Sequence, residues 1–239
     1  MITLYPYDEL GHANHGWLDT RHHFSFHMYF NPQRLGFGVL RVINDDIIKA
    51  GAGFGMHPHQ DMEIITYVRK GAITHKDNHG NAGKTVAGDV QVMSAGTGVF
   101  HSEYNLESED TVMYQIWIEP SETGITPQWG NHQFPKDPRA DKLPLLVSGD
   151  GNAPLQIHQD AYLYAGTISK DASINHPIKH QAYLLVSSGT LEIRGHTIRQ
   201  GDGVEITGLP SVTFKALEES EVIIIDVPKD NNINANTVS

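Results

Sequence analysis

Apolar residues in this chain fall into runs of four to eight, closed repeatedly by glycine, and nowhere recur with a helical period. LGFGVLRVI, DMEIITYVRKGAITHKD, VAGDVQVM and VMYQIWIEP follow at short spacing through the first half, and the second half reads alike. Short strands separated by glycine turns specify an all-β barrel or sandwich. The order also repeats. YVRKGAIT is echoed by LVSSGTLE, aligning Gly71 with Gly189, and AGDVQVM by QGDGVEI, aligning Gly88-Asp89 with Gly201-Asp202. A strand, Gly turn, strand, Gly-Asp, strand order met twice indicates two copies of one β unit. Between them, Pro135, Pro138 and Pro144 among polar neighbours mark a linker. The expected organisation is a barrel over residues 1–130, a linker over 131–144, a second barrel over 145–229 and a flexible polar tail over 230–239. Asn44, Asp45 and Asp46 are expected to close the strand LGFGVLRVI as turn formers.

The chain carries 28 acidic and 17 basic residues, a net charge of −11. That balance disfavours a grip on nucleic-acid phosphates or an anionic membrane surface. With no cysteine, disulfides, thiolate catalysis, Cys-ligated zinc and iron–sulfur clusters are excluded. The opening MITLYPYDELGHANHG shows no basic region followed by an apolar core, and no apolar run approaches membrane-spanning length. The expectation is a cytoplasmic monomer.

Histidines carry the chemistry. In GAGFGMHPHQDME, His57 and His59 stand two apart and Glu63 four further on; GTGVFHSEYN adds His101 and Glu103. On a strand, residues i and i+2 project from one face about 6.5 Å apart. Each pair therefore directs two ligand atoms at one spot, and two strands close a cage of three imidazoles and one carboxylate, a set that suits a first-row transition metal. In a chain with 15 histidines a lone His-x-His is weak evidence. The second pair, in the register of a neighbouring hairpin strand, is what strengthens it. Pro58 cannot donate to a ladder, which fits a strand start or a barrel mouth. Glu63 shares the parity of His57 and His59, so it stands as an alternative ligand or a support for the others.

The remaining histidines read otherwise. His12, His15, His22, His23 and His27 fall in GHANHGWLDTRHHFSFHMYFNP, expected as a surface loop and a short aromatic strand packed on the body; the competing reading makes this segment an extra metal site or part of the pocket wall. His75 and His79 are expected to be solvated. His158, His176, His180 and His196 have no ligand-type spacing, so the second barrel is expected to lack metal ligands. Phe54, Met93, Gln115 and Trp117 are candidate pocket-wall residues, with plain barrel core as the competing reading.

GAGFGMHPHQDMEIITYVRKG resembles the first cupin motif, and GDVQVMSAGTGVFHSEYN the second, with Ser94 where proline is usual and four residues rather than two between Gly96 and His101. With GHANHGWLDTRHHFSF, MSAGTG, HSEYN and YQIWI, these departures resemble the pirin family, most closely its bacterial quercetinase-like members. The resemblance implies a bicupin, two face-to-face β-barrels with one metal, most often iron, in the first; Zn, Mn, Co, Ni and Cu suit the same donors. It implies His57, His59, His101 and Glu103 as ligands, with Glu103 rather than Glu63 as the carboxylate. It implies quercetin 2,3-dioxygenation, opening a flavonol ring with O2 and releasing carbon monoxide, Glu103 taking the 3-hydroxyl proton. It also implies, as the runner-up, an iron-dependent redox-sensing regulator that binds a protein partner.

Overall fold

The structure, a computed structural model, describes residues 1–138 and 142–230. Its strands form two seven-stranded and two four-stranded sheets, and the only helical element among the described residues is a 3-10 turn at Tyr7–Glu9. In the first half the large sheet runs in the order Gln128–His132, Val90–Ser94, Glu63–Lys70, Thr111–Ile118, Leu40–Ile48, Leu18–His22, Gly11–Asn14. The small sheet facing it runs Gly53–His59, Val99–Tyr104, Ala72–Asp77, Ala82–Val86. The second half repeats the plan, with Ser173–Pro177, Ser211–Ala216, Thr190–Ile193 and His196–Arg199 as its small sheet. Each half is a jelly-roll barrel, and the molecule is a bicupin.

The sequence echo is a structural one. Gly71 and Gly189 both take a left-handed φ, of 74° and 81°, and a Cβ at either would collide with a hydroxyl, that of Thr111 at one and Ser220 at the other. The Gly88 amide donates to the Val68 carbonyl at 2.7 Å, and the Gly201 amide to the Val186 carbonyl at 2.8 Å. Gly88 and Gly201 have φ of 80° and 84°, the region where glycine carries no steric cost.

Two features depart from the linear division of the chain. The strand Ile2–Tyr5 pairs with Gly203–Ile206, so the first residues complete the second half's large sheet. Gln128–His132 pairs with Val90–Ser94 and carries the first half's large sheet past residue 130. Within the expected linker, residues 139–141 lie outside the described residues, as do residues 231–239 of the expected tail.

The strand Leu40–Ile48 runs straight through Asn44, Asp45 and Asp46, which are buried rather than turn residues. Tertiary partners override their turn preference: the Arg69 guanidinium donates to Asp45 Oδ1 at 2.5 Å, and Asn44 Oδ1 stands 2.7 Å from His22 Nδ1. Both neighbouring strands also saturate the backbone there.

The main core lies between the halves. Ile43, Ile65, Tyr114 and Ile116 from one large sheet pack with Leu163, Tyr183, Leu185 and Ile223 from the other. Inside the second barrel, Ile174, Leu184, Leu191, Ile206, Phe214 and Ile224 fill the interior. The first barrel differs, since its inward face carries only small apolar clusters around Ile73 and Met113 and around Ile64 and Met93. What occupies the rest is polar, and it lines a cavity.

Candidate metal centre and its cavity

A row of buried polar residues crosses the large sheet of the first half at one level. The register pairs His22 with Asn44, Asn44 with Gln115, Gln115 with Thr66 and Thr66 with Gln91. Three of these reach across to Glu103 on the facing sheet. Gln115 Nε2 donates to Oε2 at 2.6 Å, Gln91 Nε2 to Oε1 at 2.5 Å and Thr66 Oγ1 to Oε1 at 3.2 Å. Burial pushes the Glu103 carboxyl up to about 7 against the pull of these donors. Charge-assisted bonds fix its orientation.

His57 and His101 are directly opposed across the strands Gly53–His59 and Val99–Tyr104, and a bulge then shifts the register so that Glu103 opposes Phe54. The bulge re-aims the side chains that follow it. The ring centroids of His57, His59 and His101 lie 4.4 to 4.9 Å apart. Their nitrogens form one cluster within 4.8 Å, and His75, His101 and Glu103 form a second, so the two clusters join at His101. Both lie in the first half, and no other such cluster occurs among the described residues. Burial, with His57 beside it, lowers His59 to about 4; burial and its three histidine neighbours lower His101 to about 2. These imidazoles are neutral at ordinary pH.

The donor set suits a cation. His57 Nδ1 sits 2.7 Å from the Gly55 carbonyl, which can only accept, so Nδ1 carries a proton and Nε2 is the nitrogen that can face a cation. That Nε2 stands 3.0 Å from His101 Nε2. Nitrogen and carboxylate donors without thiolate fit Fe, Mn, Co, Ni, Cu or Zn.

The clusters open into a cavity of about 680 Å³, within the range of about 300–1,000 Å³ common for small-ligand sites. Phe54, Gln115 and Trp117 line it, as do His57, His59, His101 and Glu103. Met93 does not: it packs with Ile64 and Val99, and Ile64, its register partner on the next strand, is what faces the cavity. Glu63 is also elsewhere. The strand breaks after His59, Asp61 adopts a φ of 47°, and Glu63 begins a strand of the opposite sheet. Parity with His57 and His59 is therefore lost. Glu63 accepts from Ser94 Oγ at 2.7 Å and lies 3.5 Å from His158 Nδ1, outside both clusters.

The opening segment is pocket wall rather than surface loop. His12, His15, His22, His27, Phe26 and Tyr29 line the cavity, Phe26 meeting Trp117 edge-on at 5.6 Å and Trp17 meeting Phe54 at 5.2 Å. His23 is the exception, buried at 1% exposure against Tyr183 of the second half. Burial lowers it to about 3. Asp46 also lines the cavity, and burial pushes its carboxyl up to about 7. Sequence reasoning missed it because its buried, inward position depends on a strand that runs past a turn-like triplet. It missed His75 too. Expected to be solvated, His75 is fully buried on Ala72–Asp77; His79 is the exposed member of the two. The i, i+2 spacing of His75 and Asp77 was the available signal.

Two jelly-roll barrels, one of them carrying a histidine cluster that could hold a metal, define a cupin-type protein. The chain belongs to the pirin family. It matches the Pirin family over residues 5–118 and the Quercetinase C-terminal cupin domain over 145–227. It is 47% identical to the Pirin-like protein of Caulobacter vibrioides over 230 residues, 95% of this chain and 99% of that one. It is 44% identical to Quercetin 2,3-dioxygenase of Escherichia coli (strain K12) over 231 residues, with the same coverage. Among solved structures, the bacterial pirin YhhW of Escherichia coli in complex with nickel(II) superposes with a TM-score of 0.90 at 44% identity, covering 96% of this chain and 100% of that one. No helix among the described residues is long and apolar enough to cross a membrane.

Proposed function

We propose that this protein is a metal-dependent dioxygenase that opens flavonols such as quercetin with O2 and releases carbon monoxide. The observation that carries the reading is a three-histidine cluster and a buried carboxylate at one end of an aromatic-walled cavity of about 680 Å³. Relatives named for this activity, 44% identical over nearly the whole chain, support it. His57, His59, His101 and Glu103 would hold one divalent transition metal, Fe(II) foremost. When bound, the metal supplies a Lewis acid for the chelated hydroxyl and a redox partner for O2.

The residues have separable tasks. Glu103 Oε2 carries one donor where Oε1 carries two, so the carboxylate's one remaining lone pair is on Oε2, the atom that would hold the metal or take the flavonol 3-hydroxyl proton. Two edge-to-face pairs on the cavity wall, Trp117 with Phe26 and Phe54 with Trp17, suit a planar aromatic ligand.

The test is oxygen consumption with quercetin by Fe(II)-loaded protein, with loss of the flavonol's near-visible absorbance and detection of carbon monoxide. Methylation of the 3-hydroxyl should block turnover. A rate no greater than that of His101→Ala, across several metals, would remove the dioxygenase reading and leave redox-dependent binding of a protein partner to be sought.

A further inference from the structure

His101 uses only one of its ring nitrogens at the cluster, and what faces the other is a second chain of buried polar groups. His101 Nδ1 lies 3.3 Å from His75 Nδ1, and His75 Nε2 lies 3.1 Å from Asp77 Oδ2. The neighbouring register, His101 opposite Asp77 and Glu103 opposite His75, sets this alignment. Both partners are held. The His75 ring stacks on the Trp129 indole at 4.8 Å and 11°. Asp77 accepts from the amides of His79 and Asn81 at 2.9 and 3.0 Å and from Asn81 Nδ2 at 2.9 Å.

The proton positions follow from what each atom can do. Asp77, a carboxylate with three other donors on it, only accepts, so His75 carries its proton on Nε2. A neutral His75 then presents a bare Nδ1, which accepts from His101 Nδ1–H. That leaves His101 Nε2 bare and pointed at His57 Nε2. The reversed arrangement would set a bare His75 Nε2 against the Asp77 carboxylate at 3.1 Å, two acceptors with no proton between them. We infer that His75 and Asp77 are positioning residues that lock His101 in its Nδ1–H tautomer and aim its Nε2 lone pair into the metal site. The inference rests on the metal reading of the three-histidine cluster. Outer partners of this kind orient ligating histidines and raise their basicity.

Two measurements test it, neither using flavonol. In metal-free protein with 15N-labelled histidine, long-range ring spectra should show His101, assigned by its loss in His101→Ala, as the Nδ1–H tautomer. In Ni(II) titrations His75→Leu, which removes the acceptor, should bind about 10- to 100-fold more weakly than wild type. His75→Gln, whose amide oxygen can accept from His101 Nδ1–H, should recover most of that loss. A merely structural His75 would show no such rescue, since both substitutions lose the stacking on Trp129. An Nε2–H tautomer in the wild type, or undiminished Ni(II) affinity in His75→Leu, would overturn the assignment. Should His75→Leu fail to fold, the wild-type spectrum decides alone. Wild type that shows the Nδ1–H tautomer yet binds no Ni(II) would sink the metal centre while leaving the relay standing.

Discussion

His57 Nε2 and His101 Nε2 face each other at 3.0 Å, and with both rings neutral each is bare, because the ring's other nitrogen is committed to an acceptor. Opposed lone pairs at that distance repel, and a cation between them turns the repulsion into coordination. Metal should therefore stabilise the fold. At a free Ni(II) concentration 100 times its Kd the gain is about 2.7 kcal/mol. Thermal unfolding with and without Ni(II) checks it; the double substitution His57→Ala/His59→Ala should melt at one temperature in both conditions.

The two glutamates should separate cleanly. Glu103→Gln puts an amide with one acceptor oxygen before three donors, so at least one of Gln91, Gln115 and Thr66 loses its partner. That costs about 1–3 kcal/mol and removes the proposed base. Metal retention should weaken and turnover vanish. Glu63→Gln should keep the metal, because Glu63 answers to Ser94 and His158, and should lower stability by about 1 kcal/mol through weakened contact between the halves. Metal content after dialysis and urea midpoints distinguish the two.

Much of this was legible in the residues. The Gly71/Gly189 and Gly88/Gly201 echo marked both barrels because positive φ at a crowded turn admits little but glycine. His-x-His and His-x-Glu marked their strands because i, i+2 spacing is all a strand needs to aim two donors. What the sequence concealed depends on contacts between distant strands. Gln115, Thr66 and Gln91 converge on Glu103 only once register is set. Asn44–Asp46 resemble a turn until Arg69 and His22 meet them. Ile2–Tyr5 joins the far end of the chain, for which no local pattern exists.

Asp46 offers a pH signature. Its carboxyl, pushed up to about 7 by burial, binds its proton more tightly folded than unfolded. Its stabilising contribution is thus complete in acid and lost as pH rises from about 4 to about 7. The buried His23 and the half-buried His59, lowered to about 3 and about 4, act oppositely and weaken the fold as pH falls below about 6.5. Asp46→Asn mimics the neutral acid and isolates the first effect. Metal-free Asp46→Asn should match wild type near pH 4 and exceed it at pH 8, the gap opening by at most about 1.4 kcal/mol per pH unit. Urea unfolding at the two pH values measures it, and a gap independent of pH would contradict the assignment.

Arg34 ties the cavity wall to the second half. Its buried guanidinium lies 3.5 Å over the Tyr5 ring and 4.5 Å over Phe24, and donates to the His23 carbonyl and the Tyr183 hydroxyl, each at 3.1 Å, and to Glu205. Its own carbonyl accepts from the Ser25 amide at 2.6 Å, which closes the turn that presents Phe26 and Tyr29 to the cavity. Lysine keeps the charge but cannot reproduce the planar fork or the stacking. Arg34→Met goes further and leaves Glu205 unpaired; breaking a buried pair from one side costs about 3–5 kcal/mol, toward the lower end here because Glu205 is partly exposed. Neither substitution touches His57, His59, His101 or Glu103. The expected outcome is lowered stability and a raised flavonol KM in both variants, with Ni(II) affinity within about twofold of wild type, since the ligand strands lie on the opposite sheet. A parallel loss of metal affinity would show that the Phe26–Tyr29 wall supports the metal centre as well as the cavity.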